Sequence, residues 1–116
     1  MPYVRGIMST FELFRDENKD LCFRLKTAGG MVLLTSEGFA SRAEAEEGIE
    51  QVQRLAPEAR NYERSRRDAG HSFTLQTYEG EVLGTGELFP STAARDKAIE
   101  AVKDDAPEAE VVGLDR

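Results

Sequence analysis

Residues 22–59, moved forward by fifty positions onto 72–109, match at 18 of 38 positions without a gap. Phe23, Leu25, Thr27, Gly30, Val32, Leu33 and Thr35 recur as Phe73, Leu75, Thr77, Gly80, Val82, Leu83 and Thr85. Ala56-Pro57-Glu58-Ala59 closes the first copy and Ala106-Pro107-Glu108-Ala109 the second. A repeat of this period makes each copy one supersecondary unit that cannot bury its apolar face alone. It constrains the fold strongly and the chemistry hardly at all.

Within each copy the elements are legible. Leu21, Phe23 and Leu25 alternate with Cys22, Arg24 and Lys26, the period of a half-buried strand. Gly29-Gly30 reads as a hairpin turn, and Met31–Ser36 as a second, more apolar strand. Phe11 and Leu13 begin an earlier strand, separated from Leu21 by the polar turn Asp16–Asp20. A helix is expected over Ser41–Ala56, with Ser41 and Glu44 forming a capping box. Ala45, Ile49, Val52 and Ala56 fall on one helical face. Pro57 is expected to end the helix by moving Ala56 out of the α region. The second helix is expected over Ser91–Ala106, without the box because Ala94 replaces the glutamate. Phe23, Leu25, Leu33, Phe39, Ile49 and Val52 should share one core with Phe73, Leu75, Leu83, Phe89, Ile99 and Val102.

The junction has two identities. Ala59–Tyr62 continues the first copy as Ala109–Val112 continues the second, while Tyr62-Glu63 matches Phe11-Glu12. One extended strand serving both units is expected there. The expected architecture is α+β: one antiparallel sheet with two helices packed on it and a pseudo-twofold axis between the copies. Residues 1–9 read as a loose extension, and 10–116 as a single domain of two repeats, 10–59 and 60–114. A chain of 116 residues buries roughly two thirds of its unfolded surface, enough for a core without staples.

Composition narrows the setting. The lone Cys22 can form no intramolecular disulfide and has no partners for a structural metal site. No signal-peptide apolar region is present, and no apolar run approaches the ~20 residues that span a bilayer. A cytoplasmic, non-membrane, monomeric protein is expected. The net charge of −7 argues against general nucleic-acid binding. That charge is uneven: residues 59–70 carry Arg60, Arg64, Arg66 and Arg67 against only Glu63 and Asp68.

The run Phe11-Glu12-Leu13-Phe14-Arg15-Asp16, the run Phe23-Arg24-Leu25-Lys26-Thr27-Ala28-Gly29-Gly30, the helix entry Thr35-Ser36-Glu37-Gly38-Phe39-Ala40-Ser41-Arg42 and Ala56–Ala59 together resemble the YegP-like family of small tandem-repeat proteins. The resemblance covers about residues 10–114. The second copy has drifted, with Leu88, Ala98 and Gly86 for Gly38, Gly48 and Ser36. The family's lysine at the helix start is absent: Ser41-Arg42 and Ser91-Thr92 stand there. The resemblance implies two β-β-β-α-β units sharing one sheet and exchanging their C-terminal strands. It implies no activity, cofactor or catalytic residue.

Candidate chemistry is sparse. His71, the only histidine, reads as a solvated residue of a hairpin turn. Cys22 reads as a small strand residue; a catalytic thiol would need a depressed pKa, for which Arg24 is the one nearby cation. Gly29-Gly30 joins strand to strand, so it is no phosphate loop. Glu37 and Glu87 are a symmetric pair suited to the strand–helix corners. The strongest candidate is the basic junction. Arg64, Arg66 and Arg67 with Tyr62, flanked by Arg24 and Lys26 if the sheet brings them together, form a candidate partner-binding set. The expected function is a non-catalytic interaction module of stress-related or accessory type, without cofactor or metal and with a protein partner. The alternative is a weak nucleic-acid or anion binder using the arginines of 60–67.

Overall fold

The computed structural model describes residues 9–113. The expected loose extension therefore falls almost wholly outside the described residues. Three strands open the first repeat: β1 (Thr10–Arg15), β2 (Leu21–Lys26) and β3 (Val32–Thr35). Helix α1 (Arg42–Leu55) follows, then a short 3-10 turn over Ala59–Asn61. The second repeat has β4 (Tyr62–Arg67), β5 (Gly70–Gln76), β6 (Val82–Thr85), α2 (Thr92–Asp105) and β7 (Glu110–Gly113).

Local chemistry sets the helix ends where expected. Ser41 Oγ accepts from the Glu44 N–H at 3.2 Å, and Glu44 Oε1 accepts from the N–H of Ala40, so the box reaches one residue further back than its usual form. Ser91 caps α2 through Ala94 alone. The stop works differently from expectation. Ala56 keeps helical backbone (φ −58°, ψ −34°) and donates to Val52, as Ala106 does to Val102. Pro57 stops the helix by offering no N–H for the next bond.

The seven strands form one sheet in the order β4-β5-β6-β3-β2-β1-β7. The expected antiparallel arrangement holds for every pair except β1 with β7, which is parallel. The sheet is therefore mixed, because α2 returns the chain past β3, β2 and β1 to the far edge in the direction of β1. Helix α1 carries the first repeat in the same manner to the opposite edge strand, β4. The C-terminal strands are exchanged as the resemblance implied.

The pseudo-twofold runs between β3 and β6, where Thr35 faces its own repeat equivalent, Thr85. Equivalent ladders flank it. Leu25 pairs with Leu34 and Leu75 with Gly84, and both ladders shift register at the next residue. A single core lies between the sheet and the helices, containing Phe11, Phe23, Leu25, Ile49 and Val52 with Phe73, Leu75, Ile99 and Val102. Phe23 stacks on Phe39 (6.0 Å between ring centres) and Phe73 on Phe89 (6.5 Å). Phe39 is only partly buried, unlike the rest of the expected core. Gly48 of α1 permits its stack, since a Cβ there would lie 2.9 Å from the Phe39 ring. Among the described residues no helix is long and apolar enough to cross a membrane.

Candidate interaction edge

Strand β4 is polar almost throughout, and the hairpin with β5 makes it a strand. Its ladder runs unbroken from Tyr62 opposite Leu75 to Arg67 opposite Gly70, with Asp68 and Ala69 as the turn. Period two then sorts its side chains. Tyr62 and Arg64 lie opposite Leu75 and Phe73, on the helix side; Glu63, Ser65 and Arg67 lie on the other face.

Tyr62 is buried, and its hydroxyl donates to the Ala56 carbonyl at 2.7 Å. Burial, and then the nearby Glu100, push its phenol pKa up. Arg64 reaches α2, its Nε donating to Asp96 Oδ1 at 2.9 Å, and Arg95 shares that oxygen at 3.0 Å. These two guanidinium contacts, Arg64 first, hold the Asp96 carboxyl below its ordinary pKa. Arg60 binds Glu58 and lies over the Tyr78 ring at 4.8 Å, while the Tyr78 hydroxyl donates to Glu58 Oε2 at 2.8 Å. Arg66 and Arg67 are exposed and make no ion pair among the described residues.

The structure does not bring Arg24 and Lys26 to this cluster. They lie on β2, separated from β4 by three strands, and on the face without helices. Both bind Glu12, at 3.1 and 3.2 Å, and Arg24 also covers the Phe14 ring at 4.6 Å. Burial acts to raise the Glu12 pKa, but hydrogen bonds from Arg24 and Lys26 outweigh it and lower it. The repeats meet at β3 and β6, which sends β2 and β4 to different halves of the sheet. The candidate set is thus two clusters, one whose two cations share Glu12 and one at the sheet edge.

The other candidates find structural places. Cys22 is buried beside Asp16 Oδ2 at 3.7 Å. Desolvation, and then the Asp16 charge, push its pKa up to about 11, the reverse of an activated thiol. His71 is not in the turn as expected. It belongs to β5, and its backbone N–H and C=O both bond to Phe89. Glu37 and Glu87 are exposed at the strand–helix corners. Glu37 lines a cleft of about 380 Å³ with Phe39, Glu44, Glu47 and Glu81. The second repeat does not reproduce that acidic cleft, carrying Leu88, Ala94, Lys97 and Met31 at the matching places.

The two halves of the sheet differ in one respect that matters at β4. By register, Phe11 opposite Leu25 corresponds to Tyr62 opposite Leu75, so β4 is the second repeat's β1. The outer edge of β1 is covered by β7, from Thr10 beside Glu110 to Leu13 beside Gly113. Among the described residues no strand covers the outer edge of β4, because the strand that would lie there is β4 itself. At its start is a cleft of about 550 Å³ lined by Arg60, Tyr62, Glu63, Gln76, Tyr78 and Gly80. Tyr78 was not singled out from sequence. Its signal is that Ala28 stands there in the first repeat, so an exposed aromatic departs from the pattern at a turn.

Comparison with known proteins matches both repeats to one family model, the domain of unknown function DUF1508, at residues 16–63 and 67–112. A UPF0339 protein of Photorhabdus laumondii is 38% identical over 63 residues, 54% of this chain and 55% of that one. A UPF0339 protein of Methanosarcina acetivorans is 38% identical over 53 residues, 46% of this chain but 91% of that one. The match spans about half the length of the first of these relatives. The solution structure of the E. coli protein of unknown function YegP superposes with a TM-score of 0.86 at 25% identity, covering 97% of both chains. That of a UPF0339 protein from Shewanella oneidensis gives 0.84 at 31% identity over 91% of both.

Proposed function

This chain belongs to the DUF1508 family, whose function is unknown, and we propose that it is a non-catalytic interaction module that binds a protein partner by strand addition at the outer edge of β4. The observation that carries this reading is the inequality of the two edges: β1 is covered by β7, and among the described residues no strand covers its repeat equivalent β4. An open strand edge offers a row of unpaired N–H and C=O groups, and a partner segment gains main-chain hydrogen bonds by completing it. The raised pKa of Cys22 speaks against that thiol as a nucleophile. The module is taken as cytoplasmic and monomeric, its repeats 10–59 and 60–114 acting as one unit. Of the residues singled out from sequence, Tyr62, Arg64, Arg66 and Arg67 belong to this site, and Arg24 and Lys26 do not.

The test is a selection from a displayed random-peptide library, followed by amide chemical-shift mapping of the winners. Shifts confined to Asn61–Arg67 and their β5 partners support the reading. Shifts centred on the open sheet face around Arg24 and Thr35, or on the Glu37–Glu47 cleft, overturn it.

A further inference from the structure

Resting on that reading of the edge, we propose that the strand β4 accepts is acidic and runs parallel to it, entering beside Asn61 and leaving beside Arg67. The direction comes from the first half of the molecule. There the same edge, in the same register against its hairpin partner, already holds a parallel strand, with Thr10, Phe11, Glu12 and Leu13 beside Glu110, Val111, Val112 and Gly113. The corresponding residues are Asn61, at the end of the 3-10 turn, and Tyr62, Glu63 and Arg64 of β4.

The chemistry of the occupant comes from where the two edges differ. In a parallel pair, side chains of neighbouring residues lie on the same face of the sheet. Beside β1, the β7 residues on the helix side face Phe11 and Leu13. Beside β4, the residues on that side face Tyr62, Arg64 and Arg66. An apolar strand suits the first row; carboxylates at alternate positions suit the second. Arg64 is shared with Asp96 and Arg66 has no ion pair among the described residues, so the row has cationic capacity left. On the opposite side Arg67 adds a further cation with no ion pair among the described residues, while Glu63 accepts from Gln76 at 2.7 Å. A second copy of this chain is a poor occupant. Its own β4 carries the same arginines, and β7 already uses one of its edges on β1. Opposite charge at an edge selects the partner more than it adds raw affinity.

The experiment uses three fluorescein-labelled peptides with the full chain: four Glu-Val repeats, the same with Gln for Glu, and the acidic peptide with proline replacing each valine. Fluorescence anisotropy should show the Glu-Val peptide binding and the Gln-Val peptide at least about tenfold weaker, with the proline peptide not bound. Arg66→Glu with Arg67→Glu, both exposed, should weaken the Glu-Val peptide by about tenfold or more while the circular dichroism spectrum stays unchanged. A nitroxide on the peptide N-terminus should broaden the amides of Asn61 and Tyr62. Equal binding of the Gln-Val and Glu-Val peptides, with the proline peptide excluded, leaves strand addition standing and overturns the acidic occupant. Broadening at Arg67 and Gly70 instead overturns the parallel direction. Binding of the proline peptide, or of none of the three, overturns strand addition itself.

Discussion

Leu34 and Gly84 are the same position in the two repeats, and the leucine occupies the volume that the glycine leaves. A Cβ on Gly84 would lie 2.6 Å from Leu34 Cγ. Both positions adjoin the Thr35–Thr85 pair on the pseudo-twofold axis, so an equal pair of large side chains there would collide. The threonine pair on the axis is kept, and the repeat is broken beside it, where symmetry would bring two leucines together.

Gly84→Ala should therefore destabilise by overpacking, by about 1–3 kcal/mol. Leu34→Ala should cost about 2–5 kcal/mol through transfer and cavity terms. The double variant should cost less than the sum, since each change relieves the other's defect. Urea denaturation of the four proteins measures the coupling; strict additivity would show that the two residues do not share one space.

The stacked phenylalanines predict a second effect. Phe89→Ala should cost about 3–5 kcal/mol, and Phe39→Ala a value toward the lower end because that ring is only partly buried. Both variants should still unfold in one transition, because the two repeats contribute to one core. Two resolved transitions by calorimetry would contradict a shared core.

Tyr62→Phe removes the hydroxyl that donates to the Ala56 carbonyl while keeping the ring against Phe73. The loss should be about 1 kcal/mol, the net worth of one hydrogen bond, rising toward 3 if the carbonyl stays dry. Because Tyr62 joins the end of the first repeat to the first strand of the second, its amide and those of β4 should also exchange faster. Unchanged exchange with unchanged stability would mean that the bond does not anchor the junction.

Much of this architecture can be read from local sequence. Ser41, Ser91 and the two prolines mark both helices to within a residue, because capping and chain stops act over one turn. The double identity of 59–67 is visible because Tyr62-Glu63 matches Phe11-Glu12 through a loop one residue shorter. The neighbourhood of Arg24 is different in kind. Which strands flank β2 depends on the two repeats meeting at β3 and β6, and no residue near Arg24 encodes that. His71 is misplaced by composition for a related reason: Ala69, Gly70 and Ser72 suggest a turn, but backbone bonds to Phe89, eighteen residues on, hold it in the strand.

The raised pKa of Cys22 gives stability a pH dependence with a definite sign. The unfolded thiol has the ordinary value of 9.0 and the folded one about 11. Between those values the unfolded chain loses a proton that the folded chain keeps, so unfolding is favoured as pH rises. This contribution is fully present below pH 9 and is lost progressively up to about pH 11. Cys22→Ser should flatten that part of the profile. Burial of the Tyr62 phenol drives a further fall in the same direction at higher pH, which the serine variant retains. Rapid alkylation of Cys22 by iodoacetamide at pH 7 in the folded protein would show that the thiol is not held as the structure places it.

The arginines of the junction should not make this chain a nucleic-acid binder. Arg60 and Arg64 are already paired with Glu58 and Asp96, and Arg24 and Lys26 are spent on Glu12 in the other half of the sheet. That leaves Arg66 and Arg67, which period two places on opposite faces of one strand. Two cations neutralise few phosphates, and the chain's net charge of −7 repels the rest of a phosphate backbone. No binding of single-stranded DNA or RNA is expected at physiological salt in a fluorescence titration. A submicromolar affinity that weakened steeply with added salt would contradict this, and its loss in Arg64→Glu with Arg66→Glu would place a phosphate backbone on the edge assigned here to an acidic protein strand.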